Sequence, residues 1–281
     1  MASAQLAAEP GGNASDSGAS PAPRKRRSAA DRGEVFASRR ILGMRVDATS
    51  YAETADAVIE RAESGAGGMV CIATAHMAIE CLDDPALRRA VNSADRVTPD
   101  GMSLVWALRH LGIDAAKRVY GPSLLPILCA RAEARGLPIG FYGATPEVLD
   151  ALQAELGRRF PRLRMPFAWS PPFRALDSAE DVAARDAIEA SGVRILFVGL
   201  GCPKQERWMA EHREALPCVL VGVGAAFDFL SGAKAQAPEW MQGAGLEWLF
   251  RLGSEPRRLW RRYLLGNTRF LYHFLVRGNR G

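Results

Sequence analysis

The sequence predicts an α/β fold, a Rossmann-like, mostly parallel sheet with helices on both faces and a helical C-terminal appendage. Three observations predict it. The strongest β-forming stretches, MVCIATA, LPIGFYG, RILFVGLG and CVLVGVGAAFDF, are continuous apolar runs rather than alternating ones, as strands buried on both faces require. Amphipathic segments of helical length separate them, which is the pattern of strand–helix–strand crossovers. At 281 residues and 48% hydrophobic composition, the chain is long enough to bury one sizeable core.

The elements follow in order. RRILGMRVDA reads as a strand pair, and Ser50 with Glu53 forms a capping box that opens the helix YAETADAVIERAES. The strand MVCIATA (69–75) precedes one helix over 76–92, HMAIECLDDPALRRAVN. ADRVTPDG supplies a short strand and turn before the helices MSLVWALRHLG and PSLLPILCARAEARG. The strand LPIGFYG (137–143) leads to Thr145-Pro146-Glu147, a cap with proline at the first helical position. The alternation continues through RMPFAW, SAEDVAARDAIEASG, RILFVGLG, KQERWMAEHREAL and a strand over 218–229. In such sheets ligands bind beyond the carboxyl ends of the strands, which places 74–76, 98–101, 142–145, 199–206 and 222–228 around one crevice.

Outside this body, residues 1–34 carry only Met1 and Leu6 as large apolar side chains. The expected organisation is a disordered tail over 1–35, a catalytic α/β domain over 36–242 and a basic helical appendage over 243–281. The tail lacks the apolar stretch of a secretory signal, its Arg-Lys-Arg-Arg run at 24–27 reads as a solvated charge run, and no segment has the roughly 18 continuous apolar residues of a membrane span. Five scattered cysteines, without C-x-x-C or histidine at metal spacing, fit reduced thiols in a cytosolic protein. Cys202 is read as a small turn residue rather than a nucleophile.

The turn Gly201-Cys202-Pro203-Lys204-Gln205-Glu206 joins a strand to a helix without the third glycine of G-x-G-x-x-G. The signal for a dinucleotide site is therefore weak; G-x-x-x-x-G-K-[ST] and G-x-S-x-G are absent, which excludes a P-loop and argues against an α/β-hydrolase. A helix N-terminus beside a glutamine still suits a phosphorylated or sugar-bearing ligand. The absence of Asp-x-Asp argues against a carboxylate-held divalent metal, and no cofactor is expected.

TPDGMSLVWALRHLG (98–112), FYGATPEVLDAL (141–152), LFVGLGCPKQERWM (196–209), VGVGAAFDFLSG (221–232) and APEWMQGAGLEWLFRLGSEPRRLWRRYLLGN (237–267) together resemble the WecG/TagA/CpsF glycosyltransferases. The resemblance spans roughly residues 40–267 in the right order. It implies an inverting, metal-independent transfer of a sugar, N-acetylmannosamine-type or another hexose, from a UDP-sugar to a polyprenyl-diphosphate-linked acceptor. It also implies a place in cell-surface polysaccharide synthesis, at the cytoplasmic face of the membrane.

Inversion needs a base to take the acceptor hydroxyl proton, and Asp100 matches the family's proposed catalytic aspartate. A Pro-Asp-Gly turn is also common, and Asp100 would serve as an N-cap of the following helix. The resemblance makes Gln205 a contact to the sugar or a phosphate, with Lys204 and Glu206 beside it; Gly143, Gly201 and Gly224 are further expected substrate-binding positions. Asp228 is placed to accept from uridine, or else is a strand-end carboxylate bonded to backbone amides. Thr74 and His76 occupy the family's Thr-x-Asn, and this histidine in place of asparagine either marks a changed donor or acceptor, or caps the next helix.

Residues 251–281 carry eight arginines against one acid, Glu255, a net +7 beside the whole chain's +5. Trp260, Tyr263, Phe270, Tyr272 and Phe274 interleave with them, and Arg251, Arg258 and Arg262 would share one helical face. With Arg257 and Arg261, these side chains read as a membrane-surface element or a clamp for a lipid diphosphate. A plainer reading is a helix packed through Leu249, Leu252 and Leu259. The expected partners are a UDP-sugar, a lipid-linked glycan and the membrane surface rather than nucleic acid, with self-association left open. The competing expectation is a nucleic-acid-binding α/β protein that uses the same basic tail.

Overall fold

In the computed structural model, residues 37–276 are described, apart from the side chains of Arg258 and Arg262. The expected tail over 1–35, its basic run, and Arg277 and Arg280 lie outside the described residues.

A hairpin opens the fold: β1 (Ser38–Ile41) pairs antiparallel with β2 (Met44–Asp47). Helix α1 (Tyr51–Ser64) starts at the expected capping box, where Ser50 Oγ accepts from Glu53 N and the Glu53 carboxylate accepts from Ser50 N. Next come β3 (Gly68–Ala73), α2 (Ala75–Asp83), α3 (Pro85–Asn92), β4 (Arg96–Pro99), α4 (Met102–His110) and α5 (Gly121–Arg135). β5 (Ile139–Gly143), α6 (Pro146–Arg159), β6 (Phe167–Trp169), α7 (Ser178–Ala190), β7 (Ile195–Gly199), α8 (Lys204–His212) and β8 (Val219–Gly222) complete the alternating part. Short helices follow: α9 (Ala226–Leu230), α10 (Glu239–Gly243), α11 (Glu247–Ser254) and α12 (Pro256–Trp260). A π-helical turn (Arg261–Leu265), α13 (Gly266–Leu271) and a second π-helical turn (Tyr272–Val276) end the described chain.

Six strands form one all-parallel sheet in the order β4-β3-β8-β7-β5-β6. Their side chains alternate between two apolar layers. Met69, Cys71 and Ala73 of β3 face the layer of the β1–β2 hairpin, α2, α3, α4 and α8, whereas Val70 and Ile72 face the layer of α1, α5, α6 and α9. Both faces are covered, as continuous apolar strands require.

Three sequence-based boundaries are corrected. The helix expected over 76–92 is two, because Pro85 lacks an N–H and clashes with the preceding turn. Asp84 ends α2 and caps α3, its carboxylate accepting from Ala86 N and Leu87 N. The strand expected over 218–229 stops at Gly222; Gly224 turns the chain at φ 56° and Asp228 lies on α9. The C-terminal stretch is not one continuous helix: Glu255 leaves helical geometry and Pro256 starts α12. The shared face inferred for Arg251, Arg258 and Arg262 needs an unbroken helix, so that spacing argument does not hold.

Of the three leucines expected to pack this stretch on the core, Leu259 is buried, Leu252 half-buried and Leu249 exposed, and two aromatic residues join Leu259. Leu249 is 48% exposed, while Leu259, Phe270 and Phe274 are buried, Phe274 with its ring edge-on to His110. Arg269 forms a two-pronged ion pair with Asp83 of α2, at 2.7 and 2.8 Å. No helix among the described residues is long and apolar enough to cross a membrane.

Candidate active site

Asp100 follows directly on β4, and its N–H donates to Ala73 O of β3 at 2.8 Å, which fixes it at the carboxyl edge of the sheet. It does not cap α4: Gly101 holds the N-cap position and no side chain bonds there. Gly101 has an ordinary extended backbone (φ −77°), so its contribution is the missing side chain at the cavity edge.

The Asp100 carboxylate faces Arg118. Val119 N donates to Pro99 O at 2.9 Å, which lays the segment before α5 along the end of β4 and brings Arg118 alongside. Arg118 Nε donates to the Asp100 backbone carbonyl, and Nη2 donates to Asp100 Oδ1 at 3.2 Å and to Glu247 Oε2 at 2.5 Å. The guanidinium lies 4.1 Å from the Tyr120 ring centre. Burial pushes Asp100 up to about 6; Arg118 opposes the shift, and Glu247 adds to it. Tyr120 is also pushed up, first by burial and then by the Glu247 and Asp100 charges.

Asp100, Arg118 and Glu247 border a cavity of about 620 Å³. Thr74 and His76 line it from the start of α2, where Thr74 Oγ1 accepts from Met77 N at 3.4 Å and caps the helix. His76 is therefore not the cap; it sits inside α2 with Nδ1 3.7 Å from Glu80. The opposite wall comes from the C-terminal helices, through Glu247, Trp248, Arg251, Tyr263 and Leu271. Thr74, His76, Asp100 and Arg251 thus meet in one place, from three separate stretches of sequence. Sequence reasoning missed Arg118 and Glu247: they are 129 residues apart and join only through the fold.

The other expected site residues lie elsewhere. Lys204, first in α8, lines a second cavity of about 920 Å³ with Tyr142, Leu200, Trp208 and the loop around Phe173. Gln205 is buried: its Oε1 accepts from Gly224 N and its Nε2 donates to Glu206 Oε1, both at 3.0 Å. Glu206 is fully buried beside it. Gln205 therefore ties the start of α8 to the turn after β8. Gly143 (φ 124°) approaches Gly199 so closely that a Cβ would stand 2.5 Å from its carbonyl oxygen, and Gly201 (φ 78°) opens the turn into α8. Asp228 is paired with Lys234 at 2.9 Å, and Lys234 also reaches Glu255 at 3.4 Å. Cys202 is half-buried in the turn before α8. Arg257 and Arg261 are exposed, whereas the side chains of Arg258 and Arg262 lie outside the described residues. Among the described residues no three His, Cys, Asp or Glu side chains cluster as a metal-ligand set.

The model of the glycosyl transferase WecG/TagA/CpsF family matches residues 39–281. The chain belongs to this family. It is accordingly a glycosyltransferase of cell-surface polysaccharide synthesis, acting on a sugar donor and an acceptor. The family match takes in β4 and the Asp100 that follows it, the Arg118 segment and the C-terminal wall of the cavity alike.

Proposed function

We propose that this chain is an inverting, metal-independent transferase that moves a hexose, N-acetylmannosamine-type or another, from a UDP-sugar to a polyprenyl-diphosphate-linked acceptor. Asp100 carries the reading: a carboxylate that is not spent as a helix cap, stands at a cavity edge and is pushed up to about 6. Such a group is ionised at neutral pH yet basic enough to accept a proton. In the proposed step the acceptor oxygen attacks the anomeric carbon, the bond to UDP breaks on the opposite face, and Asp100 takes the hydroxyl proton. Thr74 and His76, on the N-terminal turn of α2, face the donor sugar, where the helix end favours neighbouring negative charge. Lys204 serves the nucleotide end, with Tyr142 and Trp208 beside it in the second cavity. Gln205, Glu206 and Gly224 support that end by holding the α8 start against the β8 turn.

The C-terminal helices serve the lipid side at the inner face of the membrane. Leu264, Leu265, Leu271, Tyr272, Leu275 and Val276 are each more than half exposed, and Arg257 and Arg261 flank them. An apolar patch of this kind beside exposed cations fits an anionic lipid surface. Phe270, by contrast, is buried and has no access to headgroups; Trp260, 43% exposed, does. Arg251, on the cavity wall, faces the acceptor diphosphate.

The test is a panel of UDP-sugars incubated with polyprenyl-diphosphate-linked glycan, with UDP release as the readout and Asp100→Asn as control. Release above the control with at least one donor supports the proposal. Equal release from both proteins with every donor refutes Asp100 as the base.

A further inference from the structure

We infer that Glu247 is a positioning residue that latches the C-terminal helices onto Arg118 and thereby sets how much of that guanidinium is left to Asp100. The inference rests on reading Asp100 as the base. Arg118 cannot follow either carboxylate freely, because its Nε is held by the Asp100 carbonyl and its plane by the Tyr120 ring. One nitrogen, Nη2, serves both acids, and its bond to Glu247, at 2.5 Å, is shorter than that to Asp100, at 3.2 Å. The three side chains are between 13% and 19% exposed, so water screens them weakly.

Two carboxylates on one guanidinium leave a net negative charge, which favours the protonated form of whichever acid holds the longer bond. That acid is Asp100. The other charged groups facing it do not restore the balance through the same atom: Arg251 of α11 acts from the cavity wall, and His76 of α2 and His110 of α4 line the same space. Glu247 is also the first residue of α11, so docking of these helices delivers the second carboxylate to the cavity wall beside Arg118. Undocked, Arg118 would belong to Asp100 alone and quench its basicity. The latch thus makes the base competent only when the wall that meets the acceptor is in place.

A competing role for Glu247 is simply to complement the positive end of the α11 helix. That role affects α11 and leaves Asp100 untouched. The two are separated by carbon-13 NMR titration of aspartate carboxyl groups in the full chain, with Asp100→Asn assigning the resonance. Glu247→Gln should move the Asp100 midpoint down by about one pH unit or more, with faster amide exchange in α11. Glu247→Asp, which keeps the charge but draws it back, should move it less. An Asp100 midpoint unchanged in both variants overturns the inference, whatever α11 does; if Glu247→Gln does not fold, the Glu247→Asp titration decides alone. No donor or acceptor is needed, so the outcome stands apart from whether Asp100→Asn retains turnover, which is the failure of the underlying reading.

Discussion

Asp100→Asn should make the protein more stable at pH 8 and nearly inactive. The folded protein lifts the Asp100 carboxyl from its ordinary value of 3.8 to about 6. A difference of about two units, at roughly 1.4 kcal/mol each, disfavours the ionised form in the fold by about 3 kcal/mol. The sign follows from proton counts. Between pH 4 and 6 the folded state holds a proton that the unfolded state has released, so stability from this group is fully present below pH 4 and is lost as pH rises through 6. Asparagine imitates the protonated acid and never incurs the cost, and its carbonyl still accepts from Arg118. The variant should therefore match the parent near pH 4 and exceed it by up to about 3 kcal/mol at pH 8. Turnover should fall by roughly two to four orders of magnitude through loss of the base. Urea unfolding at both pH values, beside a turnover assay, reads the two effects. A variant less stable than the parent at pH 8 would show that Asp100 is an ordinary ion-pair partner of Arg118, and the argument for a poised base would fail.

Gln205→Ala should cost about 2–4 kcal/mol, because it removes the buried bonds to Gly224 N and to Glu206 Oε1; an unchanged melting temperature with weakened donor use would make Gln205 a ligand contact instead. Reversing Arg257 and Arg261 to glutamate changes the surface charge by four, worth up to about 4 kcal/mol against anionic lipid before screening. Co-sedimentation with phosphatidylglycerol vesicles should drop at least tenfold, and equal sedimentation would dismiss the membrane role. EDTA should leave turnover unchanged, since no Asp-x-Asp is present to hold a divalent ion; loss restored by magnesium or manganese would overturn the metal-independent step.

The layered α/β architecture was legible because buried parallel strands cannot tolerate polar residues, and the intervening caps mark helix starts in local sequence. Pro85 also carried its signal, and the helix over 76–92 should have been divided there. The overrun of β8 has a different cause: Val223 to Phe229 is as apolar as a strand, and a buried short helix has the same composition. Asp100 was visible through its motif, but the choice between cap and base depended on where the carboxylate points. Arg118 and Glu247 gave no local sign, since an arginine before a helix and an acid in a first turn are both ordinary. The tail misled most. Its aromatic residues look alike in sequence, yet Phe270 and Phe274 anchor the helix while Tyr272, between them, faces outward.

Anomeric proton NMR of the product tests the central claim most directly. With an α-linked UDP-hexose as donor and the lipid-linked glycan as acceptor, single displacement with Asp100 as base predicts a β-linked product from the parent and essentially none from Asp100→Asn. An α-linked product, or comparable β-linked product from the variant, would contradict it.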